Sequence, residues 1–318
     1  MKKTPVLGIV GPTASGKSAL AMCIAKEIPS EIVCMDSMQI YQGMDIGTAK
    51  PTPEEQAAVP HHMLDLIPPT ASFTVADYAA EAELILQKIW KQGKLPLLVG
   101  GTGLYLRTLM QGMPLGGIKS DEGIRAELWN IAEGINGKEY LHAMLQKVDP
   151  ETAAKLHCND VRRVVRALEV YKITGAPISS QNDVFEEGSF VFSLIGTSME
   201  RELLYERINQ RVEKMLANGL WNEVERLLQS GVSPEAQSMK GIGYKELVPV
   251  VEGYLPLEEA TDLLKRNTRR YAKRQWTWFR NETVAWIDMT ASNAVQEGVA
   301  RAHAFGEAQC SAKEELFI

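Results

Sequence analysis

The stretch GPTASGKS, from Gly11 to Ser18, combines a small, flexible backbone with one cation and several hydroxyls. Gly11, Gly16, Lys17 and Ser18 fit the spacing G-x-x-x-x-G-K-[ST], with Pro12, Thr13, Ala14 and Ser15 between the glycines. In such a loop the backbone N–H groups curl around phosphate oxygens. The helix that follows adds its positive end, the lysine adds a point charge, and the Ser18 hydroxyl is a candidate Mg²⁺ ligand. The chemistry is phosphate binding, but the motif leaves open whether the phosphates are those of ATP or of another ester. Nucleotide kinases usually offer an apolar strand ending in a metal-binding aspartate, whereas LPLLV ends here in Gly100-Gly101.

A second chemical group stands at Asp36, where the apolar run EIVCMD meets SMQIYQGMDIGTAK. A carboxylate at the carboxyl end of a strand can take a proton from a nucleophile or hold a metal's water. A residue that merely caps a turn has the same signature. HHMLD contains His61, His62 and Asp65, but adjacent side chains diverge, so a shared metal is not favoured and a structural loop is expected. GGTGLY, Gly100 to Tyr105, is a second glycine-rich turn in which Thr102 offers a hydroxyl and a backbone or base can approach closely. A plain strand-to-helix turn would have the same composition.

Two stretches concentrate positive charge. NDVRRVVRALEVYK places Arg162 and Arg166 on one helical face, with Arg163 beside them and Val161, Val164, Val165 and Leu168 turned to a core. From Leu263 to Asn281 the chain carries Lys265, Arg266, Arg269, Arg270, Lys273, Arg274 and Arg280 and no acid. A solvated face normally mixes its charges, so this run favours a polyphosphate or nucleic-acid backbone. Trp276, Trp278 and Phe279 within it suit core packing better than base stacking.

The elements that must hold these groups follow from periodicity. Pro5 to Val10, EIVCMD and KLPLLVGG read as short buried strands, each followed by a helical pattern or a turn. FTVADYAAEAELILQKIWKQG is helical and stops at Gly93, and GLYLRTLMQG is a short helix. Strands alternating with helices predict an α/β fold with a P-loop parallel sheet core. GMPLGG is a turn-rich joint, and Ser120 to about Thr174 is helical throughout. GSFVFSLIGTSM restores a strand, and VAWIDM is a last one. The expected organisation is a first core segment at 1–114, an all-helical insertion domain at 115–190, and a second core segment at 191–318.

Composition bounds the rest. At 318 residues, 45% hydrophobic and 23% charged, the chain is an ordinary globular protein with room for two domains. Its apolar runs are too short to span a membrane, and a cytoplasmic protein is expected. The net charge of −6 argues against a generally basic nucleic-acid binder but leaves room for local basic faces. Cys23, Cys34, Cys158 and Cys310 form no C-x-x-C pair, so ordinary reduced thiols are expected.

Taken in order, GPTASGKS, DSMQIYQGMDIGTAKP, HHMLD, LLVGGTGLY, HCNDVRRVVRALEV, GIGYKE and YAKRQWTWFR resemble the bacterial tRNA dimethylallyltransferases, over nearly the whole chain. The resemblance implies transfer of the dimethylallyl group from dimethylallyl diphosphate to N6 of an adenosine just 3′ of the anticodon, with diphosphate leaving. It makes Asp36 the general base, gives Arg211 to the diphosphate, and gives Ser18, where many members have Thr, to the diphosphate or its Mg²⁺. RNA contacts are implied at Asp36, Ser37, Met38, Gln39, Thr102 and Arg125, at Arg162, Arg163 and Arg166, and in KGIGYK at Lys240, Gly243 and Lys245. In the basic run they are expected at Arg270, Lys273 and Arg274. The insertion would grip the anticodon stem-loop, and one tRNA per chain makes a monomer the expectation. A small-molecule kinase would leave the basic run unexplained, and a prenyltransferase of free adenine nucleotides would need no RNA-gripping insertion.

Overall fold

The computed structural model describes residues 3–111, 120–180 and 188–314. The chain divides into two compact units, Met1–Met110 with Gly188–Ile318, and Gln111–Glu187. The turn-rich joint expected at residues 112–117 lies outside the described residues.

Strands β1 (Thr4–Val10), β2 (Ser30–Met35), β3 (His61–His62), β4 (Leu95–Gly100), β5 (Phe190–Ser198) and β6 (Ala285–Asp288) make one sheet in the order β3-β2-β4-β1-β5-β6. Every pairing is parallel. The inner strands β1, β2 and β4 are almost wholly buried, which is why their sequences lack polar alternation. Val10 pairs with Gly100 on one side and Gly196 on the other, and Met35 also pairs with Gly100. The carboxyl ends of β1, β2, β4 and β5 therefore stop almost in line. Because β4 lies between β1 and β2, the loops after β1 and β2 diverge around it and leave a crevice, the usual ligand position in such sheets.

The connecting helices follow the expected alternation. They are α1 (Lys17–Glu27), α2 (Pro53–Ala58), α3 (Val75–Lys91) and α4 (Gly103–Gln111). HHMLD corrects an expectation. It is not only loop: His61 and His62 form the edge strand β3, paired with Ile32 and Val33. Their side chains diverge as adjacent strand residues must. His62 Nε2 lies 2.6 Å from Glu31 Oε2, whereas His61 Nδ1 lies 2.7 Å from the Val59 carbonyl. Among the described residues no group of three or more His, Cys, Asp or Glu could hold a metal ion.

The second unit is helical among its described residues: α5 (Glu122–Glu133), α6 (Gly137–Val148), α7 (Pro150–Lys155) and α8 (Val161–Thr174). Leu128, Leu141, Leu145, Val161, Val164, Val165 and Leu168 form its own core. The first unit resumes with α9 (Arg201–Ala217), α10 (Leu220–Gln229), α11 (Tyr244–Val251), α12 (Leu257–Phe279) and α13 (Ala294–Glu314). No helix among the described residues is long and apolar enough to cross a membrane.

Candidate active site

β1 delivers the phosphate loop. Gly11 at φ 141° and Gly16 at φ 99° take backbone angles that favour glycine. A Cβ on Gly11 would also stand 2.6 Å from the Thr197 carbonyl oxygen. Ala14, at φ 65°, holds the left-handed conformation despite its side chain. The Ser15 hydroxyl donates to the Pro12 carbonyl at 2.7 Å and meets Thr197 Oγ1 of β5 at 2.5 Å. Helices α2 and α3 close their N-termini with Thr52–Glu55 and Thr74–Asp77 capping boxes, but no side chain caps α1. Its first N–H groups and the helix dipole are left to an anion.

Charged side chains converge on this loop. Lys17, Ser18, Asp36 and Arg211 line one cleft with Thr13, Gln39 and Tyr271. Lys17 Nζ donates to the Pro12 carbonyl at 2.6 Å. Burial pushes its pKa down to about 7; Arg211's charge adds to that, and Asp36 opposes it. Asp36 follows the last residue of β2, and its Oδ1 accepts the Met38 N–H at 2.8 Å. It thus caps a turn and also faces the cleft. Burial raises its pKa, while the Met38 N–H, Lys17 and Arg211 restrain the rise. A carboxyl held in this balance is a stronger base than an exposed one, with two cations beside it. Arg211 reaches the cleft from α9, where it continues the face of Leu204 and Ile208 that packs on Ala272.

The remaining expected residues have varied surroundings. Gln39 lines the cleft, but its amide N–H groups hold the Thr48 and Ala49 carbonyls at 3.1 and 3.2 Å. Ser37 is half-buried beside Asp36, and Met38 packs close to Gly241. Thr102 donates its backbone N–H to the Met35 carbonyl, and its Oγ1 is buried without a hydrogen-bond partner among the described residues. Lys240 pairs with Glu235 at 3.1 Å and Lys245 with Glu246 at 3.7 Å, while Gly243 caps α11 at φ 104°. In the second unit, buried Glu169 binds Arg125 through one oxygen (2.9 Å) and Arg166 through the other (2.7 Å). Arg162 and Arg163 are exposed, the latter 3.1 Å from Asp160.

The basic run is helix α12, and its cations separate by face. Lys265 pairs with Glu213 of α9 at 2.8 Å and Arg269 binds Asn209 at 2.6 Å. Arg266, Arg270, Lys273 and Arg274 are exposed. Of the aromatics, Phe279 is fully buried, Trp278 lies under the Arg107 guanidinium, and Trp276 leans on Trp286. Packing accounts for Phe279 and Trp278, while Trp276 stays exposed beside Trp286.

Sequence reasoning missed three groups. Gln275 and Tyr271 project from the inner face of α12 into the cleft. A glutamine in the stripe Leu264, Ala272, Phe279 was the available signal. Glu223 of α10 accepts the Asp45, Ile46 and Gly47 N–H groups at 2.9, 2.9 and 3.1 Å and the Tyr244 hydroxyl at 2.6 Å. It pins the DIGTAK segment behind the cleft, and no local pattern announced it.

The sequence model of the IPP transferase family matches residues 39–282. A tRNA dimethylallyltransferase of Pelotomaculum thermopropionicum is 46% identical over 305 residues, covering 94% of this chain and 96% of that one. One from Symbiobacterium thermophilum is 47% identical, covering 92% of each chain. The crystal structure of the tRNA isopentenylpyrophosphate transferase of Bacillus halodurans superposes with a TM-score of 0.73 at 43% identity, covering 98% of this chain and 100% of that one. A eukaryotic dimethylallyltransferase captured acting on tRNA superposes at 0.78 with 28% identity, covering 95% and 79%. With its P-loop sheet, its convergent cations and carboxylate, and relatives of this identity along almost its whole length, the chain belongs to the tRNA dimethylallyltransferase family.

Proposed function

We propose that this protein transfers the dimethylallyl group of dimethylallyl diphosphate to N6 of the adenosine 3′ of the anticodon in tRNA and releases diphosphate. One observation carries the reading: Lys17, Ser18 and Arg211 line the same cleft as Asp36. Backbone N–H groups and two cations suit a departing diphosphate, and a half-buried carboxylate beside them suits the proton acceptor. N6 attacks C1 of the prenyl group, the C–O bond breaks with its electron pair going to diphosphate, and Asp36 takes the N6 proton. The adenine must leave its stack to reach Asp36.

Mg²⁺ fits the donor set as an ion shared with the diphosphate. Ser18 is exposed in the cleft, and among the described residues Asp36 is the one carboxylate lining it, so no cage of protein oxygens among them competes with phosphate ligands. Ser18 would hold the ion, which when bound offsets charge on the leaving group. The RNA is held by Arg125, Arg162, Arg163 and Arg166 of the insertion and by Arg270, Lys273 and Arg274 of α12. The enzyme acts in the cytoplasm, one chain to one tRNA.

The test supplies labelled dimethylallyl diphosphate and Mg²⁺ with either unmodified tRNA or AMP. Label enters tRNA and not AMP; the reverse result sinks the assignment. Asp36→Ala lowers turnover by about a hundred- to ten-thousand-fold and leaves tRNA binding nearly intact. A variant with near-normal turnover and lost binding would remove Asp36 from its role as base.

A further inference from the structure

The phosphate loop is anchored on both sides of its strained residue. On one side Ser15 is tied to Thr197 of β5. On the other, the Thr13 N–H donates to Gln275 Oε1 at 2.8 Å. Ala14, at φ 65°, lies between these two anchors. A residue in that conformation persists when its surroundings over-determine it. The same Gln275 donates from Nε2 to the Gly101 carbonyl at 3.1 Å, and the residue is only 5% exposed. This orientation of the amide is forced. A backbone N–H can only donate and a carbonyl can only accept, so the flipped amide would oppose donor to donor and acceptor to acceptor. Gly101 is what admits it, since a Cβ there would overlap the Gln275 amide nitrogen. Two residues on, a Cβ at Gly103 would overlap the Trp278 ring. The glycines after β4 and the inner face of α12 are thus two halves of one fit.

We propose that Gln275 is a positioning residue for the prenyl donor. It holds the phosphate loop in the shape that receives diphosphate, acting through Thr13 and braced on Gly101. The inference rests on the reading of this loop as the donor's diphosphate site. Without Gln275, the Thr13 anchor is gone, Ala14 relaxes, and the N–H groups of the loop no longer converge. The cost falls on diphosphate binding and spares tRNA binding.

Two variants break the anchor by independent routes. Gln275→Met keeps the length and removes both hydrogen bonds. Gly101→Ala evicts the amide without altering it, and asks the same question if Gln275→Met does not fold. Titration calorimetry with inorganic diphosphate and Mg²⁺, filter binding with tRNA, and a melting curve are measured on each. The expected result is diphosphate affinity weakened about tenfold in both variants, with tRNA affinity within about twofold of wild type. A purely structural role would lower the melting temperature and leave diphosphate affinity unchanged in the folded protein; that result overturns the proposal, in either variant. Failure of the wild-type chain to bind diphosphate would overturn the donor-site reading, and this inference with it.

Discussion

At the scale of single residues, the cleft holds a cation whose charge is costly and an acid whose charge is discouraged. Burial drives Lys17 down to about 7 and Asp36 up, so each sits closer to neutrality than in water. For Lys17 the proposed role gives a consequence with a definite sign. If the loop holds diphosphate as proposed, the charged form binds it, and the bound anion raises the lysine's pKa. Between the free and bound values, binding takes up a proton, and affinity falls as pH rises above about 7, by up to about tenfold per pH unit. Calorimetry in buffers of different ionisation enthalpy checks this. Lys17→Met should bind weakly at every pH and lack that part of the proton uptake. Diphosphate itself titrates in this range, so the difference between the two proteins is the quantity that counts.

At the scale of elements, the work is done by faces that meet far from one another in sequence. α12 buries Leu264, Ala272, Gln275 and Phe279 and exposes Arg266, Arg270, Lys273 and Arg274. The inner face braces the phosphate loop and the glycine turn, and the outer face is open to solvent. α10 contributes a different brace through Glu223, whose carboxylate serves three backbone N–H groups and a phenol. Glu223→Ala would strand these donors, and about 3 kcal/mol of stability should be lost. The loss would be seen as a lower denaturation midpoint without a change in its slope. Because the 45–47 segment follows Asp36 and Gln39 in the chain, transfer activity should fall along with it.

At the scale of the whole molecule, a chain with net charge −6 must bind a polyanion. Local density is the proposed answer: α12 gathers its exposed cations on one face while its acids, Glu258, Glu259 and Asp262, stay in the first turns. Net charge describes solubility and long-range repulsion, while counterion release responds to the cations that touch the phosphates. Arg270→Ala, Lys273→Ala and Arg274→Ala should each weaken tRNA binding without affecting diphosphate affinity. Each should reduce the slope of log affinity against log salt by about 0.7–0.9 for every phosphate left without its cation. Filter binding across a salt series measures both.

Much of this was legible in the residues. The buried strands, the helices between them and the GPTASGKS loop are local matters, decided by periodicity, glycine conformation and helix-terminus electrostatics. Asp36 was visible because it ends an apolar run, and the helical character of residues 120–174 because its apolar spacing never changes period. Arg211 could be named only through resemblance to a family; no local feature marks it. The partners were not legible. Periodicity says which face of α12 is buried but not that it lies on Gly101 and Gly103. A run of cations without an acid does not disclose that Glu213, on another helix, pairs with one of them. HHMLD looked like loop because two residues are too few to show a strand's alternation; β2, lying alongside, makes it one. Gln275 and Thr13 stand 262 positions apart, and Glu223 and Gly47 stand 176 apart. Sequence determined which elements form and what chemistry their ends carry. Tertiary structure alone decided which of those ends meet, because that depends on how buried faces pair across the sheet and not on any residue's neighbours in the chain.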